Sequence, residues 1–195
     1  KKEKTLPEII LLDVTTIEAA RSLSENNIAV LNFASARSPG GGWLSGAKAQ
    51  EEDLARCSAL GYCLDQSRYI PGPNYYKDND KAKNSLYTDG IIYTPSLVFF
   101  RNETYNLVEP YYLSVVTCPA PNLNNLDVSD HIIEKVLRKR INRILTVFSI
   151  HNHKIIILGA WGCGVFRNNP ELVARIFKEE IEKFSFKKVV FAIPN

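Results

Sequence analysis

Short apolar runs alternate along the chain with stretches in which apolar residues recur every three or four positions. Ile9 to Leu12 is the first run, ending at Asp13. Behind it Ile17, Ala20 and Leu23 share one face of a helix that Thr15 or Thr16 can cap, with Glu18 near its first turn. Asn26 and Asn27 close that helix, and Ala29 to Phe33 reads as a buried strand. A loop with Gly40, Gly41 and Gly42 follows. From Gln50 to Leu64, apolar residues at helical spacing predict one helix, with Glu51, Glu52 and Asp53 in its first turn. Ile70 to Asn84, rich in Pro, Gly, Asn, Asp and Lys, reads as a long surface loop. Ile91 to Tyr93 and Leu97 to Phe100 are strand-like runs interrupted by Pro95, and Tyr111 to Val116 is a strand ended by the turn Cys118 to Asn122. Asp127 to Phe148 is a strongly amphipathic helix. The apolar strand Ile155 to Leu158 runs into a second glycine-rich loop, Gly159 to Gly164. Asn169 and Pro170 then mark a helix start, and Val189 to Ile193 is the last strand.

This alternation is the signature of an α/β sandwich, with helices on both faces of a mainly parallel sheet. Ligands of such sheets bind at the carboxyl ends of strands, and both glycine-rich loops leave from strand ends of that kind. The length of 195 residues sets a single domain as the expectation.

Composition narrows the partners. With 24 basic and 21 acidic residues the net charge is +3, too slight to argue for nucleic acid by charge alone. No run approaches the ~18 apolar residues of a membrane span. The opening residues KKEKTLPE lack the apolar segment of a signal peptide. Cys57, Cys63, Cys118 and Cys163 fit neither a zinc spacing nor a small secreted framework, so four reduced thiols in an intracellular protein are expected.

GGGWLSGAK resembles a phosphate-binding P-loop, but Ala47 stands where the lysine is needed. GCGVFR, from Gly162, misses the dinucleotide fingerprint because Arg167 takes the last glycine position. A strand, a glycine loop and a capped helix nevertheless expose backbone N–H groups that can cradle a diphosphate; the alternative is that the glycines only make tight turns. Glu51 and Glu52 allow two readings, helix-start electrostatics or an acid beside a ligand. Adjacent helical residues diverge by about 100°, so the two are expected to point to different places, one as acid and the other as a binding or surface group. His151 and His153 read as solvated loop histidines, His131 as exposed, and Cys163 as a small residue packed in a turn rather than a nucleophile.

Gly40-Gly41-Gly42 followed by Gln50-Glu51-Glu52 resembles the signature of poly(ADP-ribose) glycohydrolases. The flanking VLNFASA, CPAPN and LGAWGCGVF segments are similar to its microbial branch, in order from about Thr15 to Asn195. The resemblance implies a macrodomain fold, a three-layer α/β/α sandwich with a mixed, mainly parallel sheet. It implies one catalytic domain over residues 1–195, trimmed at its N-terminus, since microbial members carry a longer N-terminal segment. The implied activity is hydrolysis of ribose–ribose O-glycosidic bonds in poly(ADP-ribose), mainly from chain ends, releasing ADP-ribose. By motif position Glu52 would protonate the leaving ribose oxygen and then help water attack an oxocarbenium-like centre, while Glu51 would hold ribose hydroxyls. Asn32 would bind the distal ribose, and Gly40, Gly41 and Gly42 would let sugar and phosphate approach the backbone beside Gln50. Gly159, Ala160, Gly162, Cys163, Gly164 and Val165 would wrap the diphosphate, and Phe166 would pack on the distal ribose. Asp13 occupies a place where macrodomains often keep an acid for adenine. No cofactor or metal is implied. The expected partners are poly(ADP-ribose), ADP-ribose and ADP-ribosylated proteins, with no direct nucleic acid and no membrane, for a monomer inside the cell. The competing expectation is a macrodomain that reads ADP-ribose without cleaving it; the intact Glu51 and Glu52 favour the enzyme.

Overall fold

The computed structural model describes residues 6–82 and 84–194; the expectations for the first five residues, and for an N-terminal trim, lie outside the described residues. Six strands form one sheet: β1 (Glu8–Leu12), β2 (Ile28–Phe33), β3 (Ile92–Arg101), β4 (Leu107–Cys118), β5 (Ile155–Leu158) and β6 (Lys188–Ala192). Their order is β1-β6-β5-β2-β4-β3, and every pairing is parallel except β3 with β4. Strand alternation divides the core into two layers. Ile28 and Val30 of β2 face a cluster shared with α1 (Thr16–Ser22), α2 (Gln50–Cys57), α3 (Leu60–Ser67) and α4 (Tyr75–Lys81). Ala29 and Leu31 face the cluster under α5 (Asp130–Ile150) and α6 (Pro170–Ile181). The result is the three-layer sandwich that the apolar pattern predicts.

Local sequence sets the helix starts. Thr15 caps α1 in a reciprocal box: the Glu18 N–H donates to Thr15 Oγ1 at 3.2 Å, and the Thr15 N–H donates to the Glu18 carboxylate at 2.8 Å. Asn169 caps α6 ahead of Pro170. Among the described residues no helix is long and apolar enough to cross a membrane.

Four elements depart from expectation. The single helix Gln50 to Leu64 is two, because Ser58 turns extended and bridges to Phe99 on β3. Its hydroxyl donates to Leu54 O at 2.6 Å and accepts from the Leu60 N–H at 3.1 Å, ending one helix and starting the next. The supposed loop after Ile70 contains α4, capped by Asn74, with Tyr75 and Tyr76 buried beneath it. Pro95 does not interrupt β3; the strand lies at the sheet edge and absorbs the proline in a bulge between Thr94 and Leu97, with Ser96 at φ 45°. His153 is buried, not solvated. Its ring meets the Tyr93 hydroxyl at 2.8 Å and Asn27 O at 3.2 Å, and burial pushes the imidazole below its usual range. His131 and His151 are exposed, as expected.

Candidate active site

The carboxyl ends of β5, β2 and β4 lie side by side, so the segments leaving Leu158, Phe33 and Cys118 meet over one edge of the sheet. An open cleft of about 630 Å³ lies between them. One wall is the glycine loop with the start of α2: Ser35, Ser38, Gly41, Gly42, Gln50, Glu51 and Glu52. The other is Ala160, Trp161, Gly162, Gly164, Val165 and Phe166, backed by Ala120 from the β4 exit.

Gln50 latches α2 to the end of β2. Its amide nitrogen donates to Leu31 O at 2.7 Å, and its carbonyl accepts from the Phe33 N–H at 2.8 Å. That latch turns the next two residues into the cleft. Glu51 and Glu52 are only 3% and 8% exposed. Glu51 is held through both oxygens: the Ser35 N–H donates to one at 2.6 Å and the Asn32 amide to the other at 3.2 Å. Glu52 accepts the Gly42 N–H at 2.8 Å on one oxygen, and its second oxygen takes no protein hydrogen bond among the described residues. Burial pushes the Glu51 carboxyl up to about 8; the bonds from Ser35 and Asn32 oppose that rise, and the neighbouring Glu52 adds to it.

The two glutamates were expected to diverge, but they converge on Gly41. A Cβ on Gly41 would overlap Glu52 Oε1 and lie 3.2 Å from Glu51 Oε2. The reason is reach: at a helix start there is no preceding turn, so both side chains fold back over the loop. Gly41 has φ +61°, so bare backbone is required there on two counts.

The second wall is built around Gly162, at φ +75°, where a side chain would strike Ala120 and come within 2.7 Å of Asn168 Nδ2. The Asn168 amide ties this loop down, donating to Pro121 O at 2.8 Å and Gly162 O at 2.9 Å. The buried Trp161 indole donates to Cys118 O at 3.0 Å. The loop's own turns use the N–H groups of Trp161, Cys163, Arg167 and Asn168. Those of Gly162, Gly164 and Val165 take no acceptor among the described residues, and all three residues line the cleft.

Of the residues read from sequence, Gly41, Gly42, Gln50, Glu51, Glu52, Ala160, Gly162, Gly164, Val165 and Phe166 line this one cleft. Four do not. Asn32 is fully buried behind Glu51, bonded also to Thr117 Oγ1 at 3.2 Å. Gly40 packs on Trp43 and Ala55, and Gly159 on Ala192 O and the Phe33 ring. Cys163 turns away, its thiol 3.6 Å from Trp161 O and pushed up to about 11 by burial, which fits packing in a turn. Sequence reasoning missed Ser35, Ser38 and Ala120, ordinary residues that only the meeting of strand ends makes relevant.

Comparison with known proteins agrees with this fold. Residues 1–102 match the family model "Microbial-type PARG, catalytic domain". Comparison with curated proteins gives no match. The poly(ADP-ribose) glycohydrolase of Thermomonospora curvata, solved with the inhibitor ADP-HPD, is similar with a TM-score of 0.89 and 39% identity, over 96% of this chain and 73% of that one. That of Deinococcus radiodurans, solved with ADP-ribose, is similar with a TM-score of 0.86 and 40% identity, over 96% of this chain and 77% of that one. The match to the family model, a similar fold over 96% of the chain and this level of identity place the molecule: the chain belongs to the microbial-type poly(ADP-ribose) glycohydrolase family.

Proposed function

We propose that this chain carries out its family's reaction, hydrolysis of ribose–ribose O-glycosidic bonds in poly(ADP-ribose), through a single acid/base group, Glu52. The observation that carries this assignment is the free oxygen of Glu52. One oxygen, Oε1, is fixed by the Gly42 N–H against the bare backbone of Gly41; the other takes no protein hydrogen bond among the described residues, on a side chain that lines the cleft. Glu52 protonates the leaving ribose oxygen, then takes a proton from the water that attacks the oxocarbenium-like carbon. Ser35 and Asn32 each engage one oxygen of Glu51, so this carboxyl is the more firmly fixed of the two and suits a positioning part. Raised to about 8, it is mostly protonated at neutral pH. It then offers an O–H to a ribose hydroxyl. Asn32 acts through Glu51 by orienting it. The free N–H groups of Gly162, Gly164 and Val165 suit a diphosphate, and Phe166 packs on the distal ribose. ADP-ribose, the ligand of the Deinococcus radiodurans relative, fits this division of the cleft into a sugar end and a diphosphate end. Cleavage proceeds mainly from chain ends, as the resemblance to the microbial branch implies, on polymer attached to ADP-ribosylated proteins.

The test is release of free ADP-ribose from automodified polymer. Glu52→Gln lowers release at least about a thousandfold, the range typical for loss of an acid/base group, and keeps ADP-ribose binding. Full activity in Glu52→Gln would remove Glu52 from the chemistry. A second reading, in which Glu51 supplies the first proton, is favoured by its raised pKa. It requires Glu51→Gln to be as inactive as Glu52→Gln, whereas a hydroxyl-holding role leaves Glu51→Gln the more active of the two.

A further inference from the structure

Beyond the cleft lining, on its Phe166 side, stands a wall that the reaction as described does not use. The Tyr87 ring lies 6.2 Å from the Phe166 ring, and the Arg37 guanidinium lies 5.8 Å above the Tyr87 ring. The three residues come from three separate segments, so this is an assembled arch and not a local motif.

Both outer members are held in place. Tyr87 has φ 61°, a conformation that a bulky residue adopts only when its surroundings impose it. Those surroundings are explicit. Arg140, 1% exposed, donates to Tyr87 O at 3.0 Å, to Leu86 O and to Asp89 at 3.0 Å. Buried Asn79 accepts the Thr88 N–H at 2.8 Å. Arg37 is set by its loop: Ser35 Oγ accepts its N–H at 3.2 Å, and its carbonyl accepts from Arg68 at 2.8 Å. Its guanidinium remains available. Its ion-pair partner among the described residues, Asp80, is 3.9 Å away, and both side chains are more than half exposed, a pairing that water and salt weaken.

Breaking the glycosidic bond frees an oxygen of the neighbouring unit's adenosine ribose. That unit therefore carries an adenine and a diphosphate close to the ribose that Phe166 packs against. An aromatic ring with an exposed guanidinium above it suits this chemistry: the ring stacks on a base or sugar, and the fork pairs with phosphate oxygens. We propose that Tyr87 and Arg37 form a subsite for the adenosine diphosphate portion of the neighbouring polymer unit, on the leaving-group side of the bond. The subsite makes the enzyme favour polymer over a single ADP-ribose, and it rests on the glycohydrolase reading above.

The experiment measures binding in the Glu52→Gln background, with ADP-ribose and with a purified ADP-ribose oligomer of defined length as the two probes. Arg37→Ala and Tyr87→Ala each weaken oligomer binding about tenfold, the loss expected for one charge-assisted pair or one stacked base, and leave ADP-ribose binding within about twofold. Raising salt narrows the difference between the Arg37→Ala variant and its parent, because the lost contact is ionic. Tyr87→Phe retains oligomer affinity. Unchanged oligomer affinity in both alanine variants overturns the subsite. Parallel loss for both probes also overturns it, since the arch would then only support the cleft. Failure of the glycohydrolase reading has a separate signature: wild-type protein that releases no ADP-ribose from polymer, or a Glu52→Gln parent that binds neither probe.

Discussion

Glu51 keeps its proton because the fold takes it out of water faster than Ser35 and Asn32 can compensate. This has a measurable sign. Its pKa is raised in the native state from the ordinary 4.5 to about 8, so between those values the native protein holds a proton that the unfolded chain has released. The stability linked to that proton is full below the unfolded value and is lost as pH rises through about 8. Glu51→Gln, which keeps the shape without the ionisation, should show a flatter urea midpoint between about pH 5 and about pH 9 and exceed wild type at the alkaline end. A wild-type midpoint as flat as the variant's would mean that Glu51 titrates normally. The site's chemistry was partly legible at this scale. Glycines and glutamates announce themselves by type and spacing, and Phe166 only by the family resemblance. The convergence of Glu51 and Glu52 does not, because a helical wheel places side chains by Cα angle and ignores how far two flexible carboxylates reach around a helix start.

Helix α2 delivers those carboxylates, and a clip within the same segment holds the loop they touch. Arg56, from the last turn of α2, donates to Trp43 O at 2.9 Å and Ala47 O at 2.5 Å. The Trp43 ring fills a notch over Gly61, where a Cβ would come within 2.7 Å of it. The loop that offers the Gly42 N–H to Glu52 is thereby folded back on its own helix. Arg56→Ala should lower kcat by about tenfold or more while costing about 1–3 kcal/mol of stability, the loss expected when bonds from a charged donor are removed. Steady-state kinetics and urea unfolding on the same sample separate the two effects; an unchanged kcat would show that the loop holds without its clip. Elements were the most legible scale in the sequence, because period and capping are local. The exceptions have non-local causes. Ser58 breaks a helix to reach Phe99 on another strand, and α4 is secured by burying Tyr75 and Tyr76, which polar composition around Ile70 to Asn84 conceals.

At the level of the whole molecule, the buried Arg140 on α5 joins the segment before β3 to the exit of β4. It donates to Pro119 O at 3.1 Å as well as to Leu86, Tyr87 and Asp89, and Asp89 also pairs with Lys139 at 2.6 Å. Removing one side of such a pair strands the other, so Arg140→Ala should destabilise by about 3–5 kcal/mol, read from urea unfolding. A loss below about 1 kcal/mol would mean that the surface partner Lys139 carries Asp89 alone. None of this was visible in sequence, where Arg140 is one more cation on an amphipathic helix. The sheet order has a further consequence. Among the described residues β1 pairs with β6 alone, so of these six strands the earliest in the chain finds its partner in the latest. Strands β2, β4 and β5, which carry the cleft, can pair earlier and without either of them. Among these strands synthesis therefore completes the cleft-bearing edge before the other side of the sheet is joined, and a chain stopped short of β6 leaves β1 without its β6 partner, the kind of apolar strand that chaperones and neighbouring nascent chains capture.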